Sequence, residues 1–300
     1  MIDRRRFLEA SGLAAIAGGM LPGAAIAGML REQLPTREIP SSGEKLPIIG
    51  LGNSNAFREG DLATSTAVIA RLLDAGGRYV DCRGSSSFVV VEAAQSLDAV
   101  DDVFLGTYFA GADAEKSSRE ARELLALTGR QALDLMHNYP EDAVPHWDTF
   151  REWKAKGLTR HIGVSRHVQA AYPDMMKLMQ TGTVDVLQVN YSLLEPEAEE
   201  RVLPMARDLG VAVVVNRPFI NGRWFDIVRG RELPAWAADF DCASWAQFSL
   251  KFILSHPAVT CVLTETANPK HALDNLSAGL GRLPDPAERK RMQDYLEGLL

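Results

Sequence analysis

From residue 46 onward, short runs rich in β-branched and aliphatic residues alternate with stretches whose apolar positions recur at helical spacing. That alternation predicts a parallel sheet with crossover helices. Strands are expected near 48–51, 78–81, 103–108, 133–137, 162–165, 184–190, 212–216 and 259–263, and eight of them make a closed barrel the natural solution. Between them, Ala67-Val68 and Ala70-Arg71-Leu72-Leu73 lie at helical spacing, with Gly76-Gly77 as the stop. A polar, proline-containing lead at 34–44 carries Ser41-Ser42-Gly43 as a turn between two short extended pieces, which predicts a hairpin capping the bottom of the barrel. There is no internal repeat beyond the β-α unit and no low-complexity segment.

The first 27 residues break this pattern. Asp3-Arg4-Arg5-Arg6-Phe7-Leu8 leads into a weakly apolar stretch rich in Ala and Gly, which ends at Ala25-Ile26-Ala27 before Gly28. This reads as a twin-arginine export signal with a small-residue cleavage site, which implies a periplasmic or exported protein and the export machinery as a partner. A retained N-terminal anchor is the alternative. Pro22 and five glycines from Gly12 to Gly28 make the stretch a poor match to the roughly 20 apolar residues of a spanning helix, and no later segment is long enough either.

Cleavage would leave 273 residues, close to the roughly 250 of one α/β barrel. The expected organisation is a signal peptide at 1–27, a linker and capping hairpin at 28–45, and a barrel at 46–300. Residues 1–27 carry three Arg against Asp3 and Glu9, so their loss takes the formal charge from -7 to -8. Such an acidic chain is not a general nucleic-acid binder, because phosphate contacts need clustered Lys and Arg. Cys82, Cys242 and Cys261 form no CxxC pair and read as buried structural thiols.

Several segments resemble the aldo/keto reductase family, in the family's order. The run from Thr36 to Gly52 resembles its opening segment. Gly77-Arg78-Tyr79-Val80-Asp81, His161-Ile162-Gly163-Val164-Ser165, Gln188-Val189-Asn190-Tyr191-Ser192 and Asn268-Pro269-Lys270-His271 leading to Asn275 follow. The resemblance covers about residues 36–285 and implies an α/β fold of the (β/α)8 TIM barrel type. It also implies an NADP or NAD cofactor across the C-terminal mouth and a carbonyl compound as small-molecule substrate.

The resemblance assigns four catalytic positions. Asp81 matches the family's aspartate. The lysine position holds Tyr108 and the tyrosine position holds Ser86, and an alkyl hydroxyl is far less acidic than a phenol. Losing a general acid costs roughly 10²–10⁴-fold in rate. His137 matches the family's histidine if two residues are absent after Asp134; otherwise Tyr139 takes the place. A core histidine bonded to backbone is the structural alternative for His137. Tyr108 or Tyr139 is a candidate replacement donor, with His137 as its hydrogen-bond partner, weighed against a packing tyrosine.

The implied cofactor residues are similarly mixed. Ser165 and Gln188 match side chains that hold the nicotinamide carboxamide, and Asn275 matches one at the adenine end. Asn216 stands where an aromatic residue stacks on nicotinamide, and Arg166 replaces the usual asparagine after Ser165. Glu265 lies near the ribose position, where a carboxylate disfavours a 2′-phosphate; a solvated surface acid is its simpler alternative. Arg217, Arg223 and Lys270 could engage a pyrophosphate. None of the six histidines has metal-ligand spacing, no GxSxG elbow occurs, and Trp236, Trp245 and Phe248 are expected to pack a late helix. Two readings follow: a diverged NAD(P)-dependent oxidoreductase, or a noncatalytic barrel that binds a small molecule or a partner protein.

Overall fold

A computed structural model describes residues 33–300. The twin-arginine segment lies outside the described residues. An antiparallel hairpin comes first, β1 (Thr36–Ile39) and β2 (Glu44–Pro47), paired from Thr36↔Pro47 to Ile39↔Glu44 around Gly43 at φ 72°. Eight parallel strands follow: β3 (Ile49–Leu51), β4 (Tyr79–Cys82), β5 (Phe104–Tyr108), β6 (Leu133–Asn138), β7 (Thr159–Arg166), β8 (Val186–Asn190), β9 (Ala212–Asn216) and β10 (Val259–Thr264). Each pairs with its sequence neighbour and β10 closes onto β3, so the barrel has no free edge. All eight expected strands are present, with helices between them.

Sequence decides the local endings. The helix Leu62–Asp74 starts where the Asp61 carboxylate accepts from the Thr64 amide, and it stops at Gly76, whose φ of 77° a side-chain-bearing residue rarely adopts. Its Val68, Ile69 and Leu72 are buried in the main hydrophobic core. The late helix Trp245–Leu254 packs through Trp245 and Phe248 against Trp224 and, through Phe248, against Trp236. These aromatics form a packing cluster.

Side chains alternate inward and outward along each strand. Tyr79, Phe104, Leu135, Val186, Val214, Cys261 and Leu263 point inward and form one buried cluster, which Ile39 and Leu46 of the hairpin complete. Because Tyr79, Phe104 and Val186 open their strands, the hairpin seals the N-terminal end of the barrel. The three cysteines are all free and buried. Burial raises the Cys82 thiol to about 12 and pushes Cys261 up further.

Glu44 ties the hairpin to β7. It accepts from Arg160 at 2.5 and 3.1 Å and lies 2.9 Å from His161 Nε2. Burial would raise this carboxyl's pKa, but hydrogen bonds from His161 and Arg160 outweigh it and lower the value from 4.5 to about 2. A lowered carboxyl adds stability above its unfolded pKa and loses it as pH falls through the folded one. The drop is worth about 3 kcal/mol at full strength, and solvent screening at this part-exposed site reduces that to about 1–2 kcal/mol. Denaturant unfolding between about pH 5 and pH 2.5 should therefore cost the wild type about 1–2 kcal/mol more than Glu44→Gln. Equal losses would contradict the assignment.

Candidate active site

The C-terminal ends of the strands form the other face of the barrel, where the loops of such folds build their sites. A cavity of about 320 Å³ opens there, with Asp81, Tyr108, Ser165, Gln188 and Asn216 from five strand ends among its walls. A second, of about 420 Å³, adjoins it and holds Ser54, Phe219, Gly222 and Phe225. The two share Arg58, Arg217, Asn221 and Glu265, and so form one cleft across the mouth.

Asp81 is buried at the floor of the first cavity, with the Tyr79 hydroxyl donating to Oδ1 at 3.3 Å and the Gln188 amide to Oδ2 at 3.3 Å. Gly106 on β5 makes room for this, since a Cβ there would stand 2.8 Å from Asp81 Oδ1 and from the Tyr79 hydroxyl. The Tyr108 hydroxyl lies 2.8 Å from Ser165 Oγ, 3.0 Å from Gln188 Oε1 and 3.4 Å from Asp81 Oδ2. Four strands are thus joined through one phenol. Burial first, and the Asp81 charge second, push the Tyr108 pKa well above its usual value. The same two causes raise Tyr79. An acidic, easily ionised phenol is therefore absent from this cluster; Tyr108 stays protonated and acts as a hydrogen-bond donor.

His137 faces inward on β6 and is fully buried. Its ring stacks at a tilt under Tyr108, with centroids 4.1 Å apart. Nε2 stands 3.1 Å from Asp81 Oδ1 without hydrogen-bond alignment, and Nδ1 has no partner among the described residues. His137 therefore sits beneath the cavity, and neither tyrosine uses it as a hydrogen-bond partner. Tyr139, two residues on, reaches the cavity wall and receives a hydrogen bond from Arg83 at 2.5 Å.

Other candidates lie apart. Ser86 opens the helix Ser86–Ser96, is buried, and is not among the walls of either cavity. Lys270 is exposed and Asn275 buried on the helix Pro269–Ser277, and neither lines the cleft. Arg223 starts the helix Arg223–Ile227 on the outside. Asn216 donates to the Arg166 carbonyl at 3.3 Å, and Arg217 donates to the His167 carbonyl at 2.9 Å. The loop after β9 is strained, with Arg217, Ile220 and Asn221 all at φ near 50°, and both Arg217 and Asn221 wall the cleft. Glu265 stands 3.7 Å from Arg58 with its side chain 57% exposed. Desolvation in the cleft raises its pKa, with Arg58 opposing and Asp81 adding to the rise.

Sequence reasoning passed over Arg58 and Arg83. Arg83 had a signal, since strand alternation puts it on the same inward face as Tyr79 and Asp81. Arg58, on the short helix Asn55–Glu59, had none.

Comparison with known proteins agrees with the architecture. The chain is 35% identical over 71 residues to the NADH-specific methylglyoxal reductase of Escherichia coli, a stretch covering 24% of this chain and 21% of that protein. It is 39% identical over 80 residues to an uncharacterized oxidoreductase of Bacillus subtilis, covering 25% and 24% of the two chains. The chain thus matches under a quarter of the length of these curated relatives. Among solved structures, an aldo-keto reductase of Bacillus halodurans in its holo form superimposes with a TM-score of 0.70 at 18% identity, over 88% of this chain and 96% of that one. An aldo/keto reductase of Klebsiella pneumoniae in complex with NADP and acetate gives 0.65 at 21% identity, over 88% and 95%. The aldo/keto reductase family model matches residues 48–292, four-fifths of the sequence, and the chain belongs to that family of oxidoreductases.

Proposed function

We propose that this protein is an exported oxidoreductase that holds a nicotinamide dinucleotide, NAD(H) in preference to NADP(H), across the barrel mouth and acts slowly on a small carbonyl compound. The observation that carries the reading is the continuity of the two cavities through Arg58, Arg217, Asn221 and Glu265. The cleft also suits a polar occupant. Asn53 Oδ1, Ser54 Oγ, Asn216 Oδ1 and Arg217 Nε are buried in its walls without partners among the described residues, and buried polar groups are otherwise nearly always paired.

Arg58 and Arg217 would hold the pyrophosphate, Asn216 and Ser165 the nicotinamide end, and Glu265 the ribose hydroxyls. A carboxylate beside the ribose repels a 2′-phosphate, and the NADH-specific relative from Escherichia coli supports the same preference. The bound nicotinamide supplies the hydride. The protein's part is to polarise the carbonyl: Tyr108 turns its single O–H from Asp81 and Gln188 to the oxygen as that oxygen gains charge, while the Ser165 hydroxyl, 2.8 Å away, donates to the phenol oxygen and holds it in place. Because burial and Asp81 hold the Tyr108 proton firmly, and no lysine stands beside it to ease its release, proton delivery is slow. Hence the slow turnover.

Export rests on Arg4-Arg5, the apolar stretch and Ala25-Ile26-Ala27. A protein carried across in the folded state could take its cofactor with it. Native mass spectrometry of the protein recovered from the periplasm tests both halves together. The expected species begins at Gly28 and carries the mass of NAD(H). Bound NADP(H) would refute the role given to Glu265, an uncleaved species would refute the Ala25-Ile26-Ala27 site, and absence of the protein from the periplasm would refute export.

A second reading, a noncatalytic barrel, is favoured by one observation. Tyr108, Ser165, Gln188 and Asp81 already satisfy one another. Bare protein that also rejects added NADH would select it.

A further inference from the structure

Among the described residues, one arginine of the first cavity lacks a carboxylate partner. Three arginines line it, Arg58, Arg83 and Arg217, against two carboxylates, Asp81 and Glu265. Arg58 lies 3.7 Å from Glu265, and Arg217 reaches Glu195 at 4.0 Å. Arg83 has no carboxylate within ion-pair distance among the described residues; its one side-chain hydrogen bond goes to the Tyr139 hydroxyl. Nearby Arg166 is engaged with Glu141 at 2.8 Å. His167 adds no further charge near neutral pH, because partial burial and then Arg166, Arg217 and Arg83 lower its pKa.

Placement makes Arg83 more than a solvated surface charge. It follows Asp81 by two residues on the inward face, and Gly84 at φ 55° turns the chain away directly after it. Its guanidinium lies 5.7 Å from the Tyr108 ring centroid and 5.3 Å from that of Tyr139. Two aromatic walls thus hold a five-donor fork beside the phenol that faces the carbonyl. We propose that Arg83 docks a carboxylate on the substrate, so that the ligand is a small carbonyl compound bearing one negative charge. An arginine with no carboxylate in ion-pair range fits a single carboxylate, which its planar fork can take bidentately, while Asp81 on the cavity floor already accepts from Tyr79 and Gln188. The carbonyl half of this assignment rests on the oxidoreductase reading above; the carboxylate half does not.

Calorimetric titration of the nucleotide-free protein with 4-oxobutanoate and with butanal separates the two. These probes share an aldehyde and a four-carbon chain and differ in the carboxylate. The acid should bind at least about tenfold tighter, in line with a charge-assisted hydrogen bond. Arg83→Gln, at an exposed position just past the end of β4, should remove that advantage and leave butanal unchanged. Equal affinities in the wild type, or an advantage that survives Arg83→Gln, would overturn the proposal. Since no nucleotide is present, failure to bind NADH leaves this result untouched. Conversely, NADH binding with no preference for the acid would sink the carboxylate dock alone.

Discussion

Tyr108→Phe should lower single-turnover reduction of an aldehyde by roughly 10²–10³-fold, the usual effect of removing one donor from a developing oxyanion. The phenol is the strand-end hydroxyl placed to serve the cavity while tied to Asp81, Ser165 and Gln188. NADH affinity should stay within about threefold, because the residues assigned to the pyrophosphate and ribose lie in the shared part of the cleft and not at Tyr108. A lesser loss of stability, about 1–3 kcal/mol, should accompany the change, as Gln188 Oε1 loses its donor in a buried setting. Ser86→Ala supplies the contrast. Its hydroxyl is buried at the start of a helix away from both cavities, so turnover should not change. Full activity in Tyr108→Phe, or a large loss in Ser86→Ala, would reverse the roles given to these positions.

The largest loss of stability should come from Asp134→Ala. Asp134 is buried on β6, accepts from the Leu105 amide at 2.7 Å, and pairs with Arg130 at 2.7 Å and Arg160 at 2.6 Å. It therefore joins β5, β6 and β7 at one carboxylate. Breaking a buried pair by removing one partner costs about 3–5 kcal/mol. Arg160 keeps Glu44, and Arg130 keeps the carbonyls of Val100 and Val103, so the expected value is the lower end, about 3 kcal/mol. Urea unfolding at neutral pH measures it. A loss under about 1 kcal/mol would mean that the arginines relax to solvent without penalty.

The barrel was legible because its strands are short apolar runs set between helical periods. The clearest boundary error is β7, which begins at Thr159 and not near 162. Thr159-Arg160-His161 is polar, and its pairing partners, Glu44 and Asp134, are distant in sequence. The gathering of Asp81, Tyr108, Ser165, Gln188 and Asn216 at one mouth follows from their positions at strand ends. Depth in the barrel was less legible. His137 has the inward face that alternation predicts, yet it ends below the cavity, because the stagger between strands sets height and no local pattern encodes it. Ser86, Lys270 and Asn275 sit on helices, where a side chain's direction depends on how the helix docks. Arg83 and Arg58 were missed for another reason: their partners in the cleft come from elements far along the chain.

The proposed export would carry three buried thiols into an oxidising compartment. Cys82 is buried against the helix Ser86–Ser96 and Cys261 inside the barrel, both with ionisation suppressed, and the thiolate is the species that reacts. Oxidants therefore meet these sulfurs when the chain opens. Three cysteines cannot all pair within one chain, so each unfolding event under oxidising conditions risks a wrong bridge or a link between molecules. After such export the protein's lifetime would be set by its unfolding rate and not by its equilibrium stability, and refolding yield in vitro should depend on added reductant.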